Sequence, residues 1–330
     1  MILVTGGTGL IGAHLLLALA QKEEKVKAIY RTKEKIALVK DFFTAEGFAS
    51  YFGNIEWQHA DITDIPALES AFVNVTHVYH CAGLISFDPS DYKILRKTNI
   101  EGTANIVNLC IANQIEKLCH LSSIATLGKK PAKEPIDETA YWNPEAANNA
   151  YAITKYGGEM EVWRGTQEGV NSVILNPGVV LGEGFKDSPS NAFFKKVKNG
   201  LSYYPPGGTA FVDVKDVVES LLKGMNSNIT KERFLVIAEN VTYKYIFDTI
   251  AEALKSKKPS KKIRKWQLSI LWRIDWFLSL LPWKKRQLTK IGAHLLLIHT
   301  RYSNHRAKEK LQLEFTAIAE TIQRIASKYS

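Results

Sequence analysis

Three cysteines in 330 residues, Cys81, Cys110 and Cys119, are too few and too scattered for a disulfide framework or metal-ligand spacing. They lie in apolar or helical stretches, as buried thiols in a reducing compartment do. Eight histidines include no pair with metal spacing; His77 and His80 fall in or beside an expected strand, and no metal is expected. The first apolar run, MILVT, begins at residue 1, which leaves no room for a charged n-region, an apolar h-region and a cleavage site and so predicts a cytoplasmic protein. No internal repeat or low-complexity linker interrupts the chain. With 45% hydrophobic and 23% charged residues it is neither disordered nor fibrous, and it is long enough for a full core and a second lobe.

Charge is unevenly placed. Of the formal net +10, residues 255–310 carry 16 Lys and Arg against Asp275 and Glu309, or +14, and the remainder is −4. A basic block confined to one segment informs on that segment's surroundings and says little about chemistry elsewhere.

What is present begins with VTGGTGLIG, where Gly6, Gly9 and Gly12 are spaced by threes between an apolar run and the helical pattern LIGAHLLLALAQ. A second apolar run, VKAIY, ends at Arg31. Further strand-like runs at 55–59, 76–81, 117–122, 172–176 and 233–237 alternate with helical patterns. Alternation of this kind predicts an α/β fold, a Rossmann doubly wound parallel sheet with helices on both faces. The excursion from Gly182 to Gly207 and the chain from Val241 onward predict a smaller, mostly helical C-terminal substrate lobe. The expected division is 1–181 with 208–240 for the dinucleotide-binding domain, and 182–207 with 241–330 for the lobe.

Close glycine spacing lets the backbone turn tightly, brings amides near a pyrophosphate and lets the next helix, with its positive N-terminus, pack close. An enzyme that prefers NAD wants a carboxylate at the end of the second strand for the ribose 2′-hydroxyl; this chain has Tyr30 and Arg31, then Lys33 and Lys35. NADP(H) is therefore favoured over NAD(H). Asp61, in HADITD, suits a hydrogen bond from the adenine amine and equally an N-cap.

Tyr151 and Lys155, in YAITK, stand four apart and so share a helix face. A phenol titrates near 10 and needs a neighbouring cation to exchange protons near neutrality. Together with the glycine loop, this pair points to redox chemistry.

The chain resembles the extended short-chain dehydrogenases/reductases over nearly its whole length: TGGTGLIG, CAG at Cys81, TNIEGTANIV around Asn99, LSSIATLG around Ser123, YAITK, NPGVVLG from Asn176 and FVDVKDV from Phe211. The resemblance implies that Ser123, with Ser122 as the neighbouring alternative, binds the substrate oxygen, that Tyr151 transfers the proton, and that Asn99 holds a water linking Lys155 to solvent. It implies a dinucleotide held by Gly6, Thr8, Gly9, Leu10, Ile11 and Gly12, by Arg31, Lys35, Asp61 and Ile62, by Cys81, Ala82 and Gly83, by Lys155, and by Asn176, Pro177, Gly178 and Val179. Sugar-nucleotide dehydratases of this fold carry Thr-Asp-Glu where Ser123, Ile124 and Ala125 stand, so dehydration is disfavoured. Epimerases keep the serine and remain an alternative, against which Arg31 argues. LISFDPSDY, SSIATLG and NPGVVLGEG resemble the dihydroflavonol-reductase-like and 3β-hydroxysteroid-dehydrogenase-like branches, which implies a bulky, rather apolar carbonyl or secondary alcohol as substrate. Phe87, Trp142, Phe194, Tyr203 and Tyr204 are candidates for its pocket, although core packing explains each equally well. A dinucleotide sensor without chemistry is the alternative of another class; an intact Tyr151, Lys155, Ser123 and Asn99 argues against it. A homodimer is implied by the resemblance alone.

Four of the seven tryptophans lie between Trp266 and Trp283, with KKIRK before and KKR after. Projected as a helix, Trp266, Ile270, Leu271, Ile274, Phe277, Leu278 and Leu281 fill an apolar arc of about 140°. Ended by Pro282, the segment is too short and too charged to span a bilayer. Residues 262–286 thus suit a peripheral contact at the inner face of a membrane, a lid, or a dimer contact. Nucleic acid is not expected, because the charges bracket an apolar helix instead of lining an aromatic groove.

Overall fold

The computed structural model describes residues 1–130, 134–185, 188–281 and 286–329. The elements of the first half are β1 (Ile2–Thr5), α1 (Leu10–Gln21), β2 (Val26–Tyr30), α2 (Glu34–Ala45), β3 (Ile55–His59), α3 (Ile65–Ala71), β4 (His77–His80), α4 (Tyr92–Arg96), α5 (Gly102–Ala112) and β5 (Lys117–Leu121). Next come α6 (Ala150–Gln167), β6 (Ser172–Pro177), β7 (Val179–Leu181), α7 (Pro189–Lys198), β8 (Tyr203–Tyr204), β9 (Gly208–Asp213), α8 (Val214–Asn226), β10 (Glu232–Val236) and β11 (Glu239–Thr242). The chain ends with α9 (Tyr243–Ala253), β12 (Lys261–Lys262), α10 (Lys265–Leu278), α11 (Lys290–Leu295), α12 (His305–Leu311) and α13 (Ile318–Ser327).

Seven strands form one parallel sheet in the order β10-β6-β5-β4-β1-β2-β3. The order runs outward from β1 to β3 and then reverses at β4, so a crevice opens beyond the carboxyl ends of β1 and β4, where doubly wound sheets bind ligands. Because side chains alternate along a strand, neighbouring residues serve opposite layers. Val4, Cys119 and Val173 pack with Leu16, Phe42, Val217 and Leu221 under α1, α2 and α8. Leu3, Leu118 and Ile174 pack with Leu68, Ile106, Val107 and Val162 under α3, α5 and α6. Helix α6 comes unusually close to the turn before α5: a Cβ on Gly158 would stand 2.2 Å from the Asn99 carbonyl oxygen, so only glycine permits this approach.

The second lobe has its own core, in which Phe194, Phe211, Ile246, Ile250, Ile318 and Ile322 are fully buried. A three-stranded sheet, β11-β9-β7, joins it to the main body. Arg324 on α13 pairs with both Glu183 and Asp213. The C-terminal stretch departs from the expected division. Ala307, Leu311 and Leu313 belong to the core under the large sheet, together with Phe234 and Val236, so α12 packs on the body built around that sheet. With the partly buried Phe315 they form too short a pattern to assign a partner from sequence.

Candidate active site

The crevice at the switch point is a groove of about 180 Å³ lined by Gly6, Thr8, Gly9, Arg31, Lys35, Ile62, Cys81, Ala82 and Gly83, with Tyr30, Thr32, Ala60 and Thr98. Gly6 has φ +72°, and a Cβ on Gly12 would stand 2.2 Å from the Gly6 carbonyl oxygen, so α1 can start this close to the loop only with glycine at both places. Gly9 caps α1 without a side chain, which leaves the first-turn amides of Leu10, Ile11 and Gly12 for an anion. Donors without side-chain cover at a helix N-terminus fit the pyrophosphate of a dinucleotide.

At the far end of the groove Arg31 lies 3.6 Å from Asp61. Asp61 does not cap α3; Asp64 does, accepting from the Ala67 amide. Burial works against the Asp61 charge, but the Thr63 amide and hydroxyl and the Arg31 guanidinium together hold its carboxyl below the usual range.

Asn149 caps α6, its side chain accepting from the Ala152 amide at 2.8 Å, which sets Tyr151 in the first turn and Lys155 one turn on. Burial raises the pKa of the Tyr151 phenol, and the nearby Ser123 hydroxyl works in the opposite direction. Ser123 also accepts from the Ala125 amide at 3.2 Å. The Phe87 ring stands edge-on to Tyr151, with centroids 5.8 Å apart. Lys155 is buried and donates to the Leu121 carbonyl at 2.9 Å. Burial lowers its pKa to about 8, with Glu159 and Cys81 opposing. Asn99 lies in a π turn, Lys97–Glu101, a device that recurs at functional sites. Its amide is committed to the Leu84 backbone in both directions, at 2.8 and 3.0 Å, and to Thr154 at 3.2 Å. Asn99 thus braces the loop after β4, with Gly83 between its carbonyl oxygen and the Lys155 ammonium.

Behind these groups lies a buried carboxylate that sequence reasoning passed over. Glu159 is fully buried and accepts from Ser122 at 2.6 Å, Thr126 at 2.8 Å and Asn176 at 2.8 Å, and pairs with Arg233 at 3.1 Å. The signal was present: Tyr151, Lys155 and Glu159 repeat every four residues along one helix face. Of the two serines, Ser122 donates to Glu159, whereas the Ser123 hydroxyl lies near Tyr151. Asn176 is fully buried, its side-chain amide donating to Glu159, Thr126 and the Ser123 carbonyl. Pro177, Gly178 and Val179 follow it at the junction of β6 and β7. Glu159→Ala leaves the mostly buried Arg233 with only the Glu138 and Ala140 carbonyls and no counter-charge, and should cost about 3–5 kcal/mol of stability, measured by urea unfolding, with Glu159→Gln costing less.

Of the substrate candidates, the structure brings Phe87 to the phenol. Phe194 is fully buried in the lobe core and stacks on Tyr329, so it lines no pocket. Trp142 stacks on Tyr156 at 4.5 Å on another face of α6, in a separate groove of about 1140 Å³ with Met160, Trp163 and Arg233. Tyr204 packs on the lobe core under Lys244, and Tyr203 is exposed beneath Lys261. Apolar composition alone cannot separate these four from pocket residues. Among the described residues no cluster of three or more His, Cys, Asp or Glu could hold a metal, and no helix is long and apolar enough to cross a membrane. Cys110 and Cys119 are buried, and burial raises the Cys81 thiol to about 12 against the pull of Lys155.

The family model of the NAD dependent epimerase/dehydratase family matches residues 2–238. The chain belongs to that family, and it is an enzyme of the extended short-chain dehydrogenase/reductase type. It is similar to "Sterol demethylase protein B" of Methylococcus capsulatus, 28% identical over 78% of this chain and 75% of that protein. It is also similar to a "Putative dihydroflavonol 4-reductase" of Synechocystis sp., 25% identical over 82% and 77%. Its fold matches the Bordetella bronchiseptica enzyme WbmH, solved in complex with NAD+, with a TM-score of 0.75 and 20% identity over 99% of this chain and 97% of that one.

Proposed function

We propose that this enzyme is an NADP(H)-dependent oxidoreductase that interconverts a bulky, largely apolar carbonyl compound and its secondary alcohol. The observation that carries the reading is the buried Tyr151 phenol with the Ser123 hydroxyl beside it, faced by the apolar Phe87 ring and followed one turn later by a buried lysine. The Gly6–Gly12 amides would hold the pyrophosphate, Arg31 and Lys35 the 2′-phosphate, and Lys155 the nicotinamide ribose. When bound, the dinucleotide supplies or accepts the hydride.

The residues of the chain do the rest. Burial keeps the phenol protonated at neutral pH, the form needed to protonate a developing alkoxide. Ser123 donates to the same oxygen and fixes its position. The Lys155 ammonium stabilises the phenolate left behind, and the Glu159 network holds the Ser123 segment rigid through Thr126 and Asn176. The names of the two similar proteins, "Sterol demethylase protein B" and "Putative dihydroflavonol 4-reductase", support a polycyclic or otherwise bulky substrate. Calorimetric titration tests the cofactor assignment. Arg31→Ala should weaken NADPH binding roughly 10- to 100-fold, the worth of one charged hydrogen bond, and leave NADH unchanged. Equal binding of NADPH and NADH by the wild type would favour the epimerase alternative.

A further inference from the structure

Helix α10 turns its apolar face away from the protein. Of its 14 residues only Leu268 is buried. Trp266, Ile270, Ile274 and Phe277 repeat at helical spacing and are 57%, 48%, 49% and 68% exposed, with Leu280 and Leu281 continuing the surface. A lid would press these side chains onto the site; here they point to solvent, an arrangement that marks a surface waiting for an apolar partner.

The rim identifies the partner. Lys257, Lys258, Lys261, Lys262, Arg264 and Lys265 are exposed just before the helix and Arg273 along it. The single acid between residues 255 and 290, Asp275, is committed to the backbone amides of Gln287 and Leu288, at 2.9 and 2.8 Å. A second copy would bring like charge onto like charge around the apolar centre. Anionic lipid satisfies both parts, phosphates for the cations and acyl chains for the apolar face, with tryptophan suited to the headgroup level. A helix of this length reaches about 21 Å, short of the roughly 30 Å hydrocarbon core, so it lies in the plane of the surface. Pro282, Trp283, Lys284 and Lys285, part of the same sequence pattern, lie outside the described residues.

We infer that α10 docks the enzyme onto the surface of an anionic bilayer. The dock is tied to the active site. The Arg286 amide, just past α10, donates to the Asp88 carboxylate at 2.9 Å, and Asp88 follows Phe87, the residue against Tyr151. Ile85 and Phe87 on that loop are themselves 51% and 54% exposed. Docking would set the Ile85–Phe87 loop, and with it the approach to Tyr151, beside the lipid, where the apolar substrate of the proposed reaction concentrates.

Vesicle flotation tests the docking without any assay of turnover, so its outcome is independent of the proposed reaction. The full chain should float with vesicles containing about a third phosphatidylglycerol and bind pure phosphatidylcholine roughly tenfold more weakly or worse. Trp266→Ser with Ile270→Ser and Phe277→Ser should abolish flotation, and Lys257→Glu with Lys262→Glu and Lys265→Glu should abolish the preference for anionic lipid. Both sets change exposed side chains, and an unchanged thermal midpoint and NADPH affinity verify the fold. Flotation of the triple serine variant at the wild-type level overturns the inference. So does a wild type that ignores both vesicles and sediments as a dimer which the serine variant dissociates.

Discussion

Tyr151→Phe should lower kcat by about 10²–10⁴-fold, the usual loss when a general acid is removed, or roughly 3–5 kcal/mol of barrier. The substitution deletes one oxygen. The ring stays edge-on to Phe87, and Ser123 keeps the Ala125 amide as a partner, so fold and pocket shape persist. NADPH affinity should therefore hold while turnover falls, a split that separates proton transfer from binding. Stopped turnover with unaltered calorimetric binding is the expected pair of results. Full activity in the variant would remove Tyr151 from the mechanism.

Lys155→Met should abolish turnover and at the same time stabilise the protein. In the folded state burial carries the ammonium from its ordinary 10.5 down to about 8, so the charged form is disfavoured by about 3 kcal/mol relative to the unfolded chain. At pH 7 both states hold the proton and the folded state bears the whole penalty. Between about 8 and 10.5 the folded protein has released the proton while the unfolded chain still binds it, so wild-type stability rises with pH through that window. The thermal midpoint of Lys155→Met should therefore exceed the wild type's most below pH 8, and the difference should close as pH approaches 10.5. Wild-type reduction should fall as pH rises through about 8, when the phenolate loses its neighbouring cation. A variant less stable than wild type at neutral pH would mean that the bond to the Leu121 carbonyl outweighs the cost of burial.

Much of the sheet was legible because strands buried on both faces read as continuous apolar runs, and ILVT, VKAIY and SVILN are such runs. Tyr151, Lys155 and the glycine loop were legible because their chemistry fixes their spacing along the chain. Glu159 was not, although it shares the face of Tyr151 and Lys155, because its partners Ser122, Thr126, Asn176 and Arg233 come from separate segments that meet only in the fold. Phe194 and Trp142 could not be told apart in the sequence for a similar reason: an aromatic side chain satisfies a core and a pocket equally well, and only tertiary packing puts Phe194 in the lobe core and Trp142 in a groove. Asn176 stands at the end of β6, where strand periodicity gives its burial but not the direction of its amide.

The most direct measurement is NADPH consumption at constant enzyme against bulky apolar ketones and, in parallel, against nucleotide sugars. A bulky ketone should oxidise NADPH stoichiometrically in a reaction dependent on Tyr151, and the sugars should not. Interconversion of nucleotide sugars with no net consumption of the dinucleotide would contradict it and identify an epimerase.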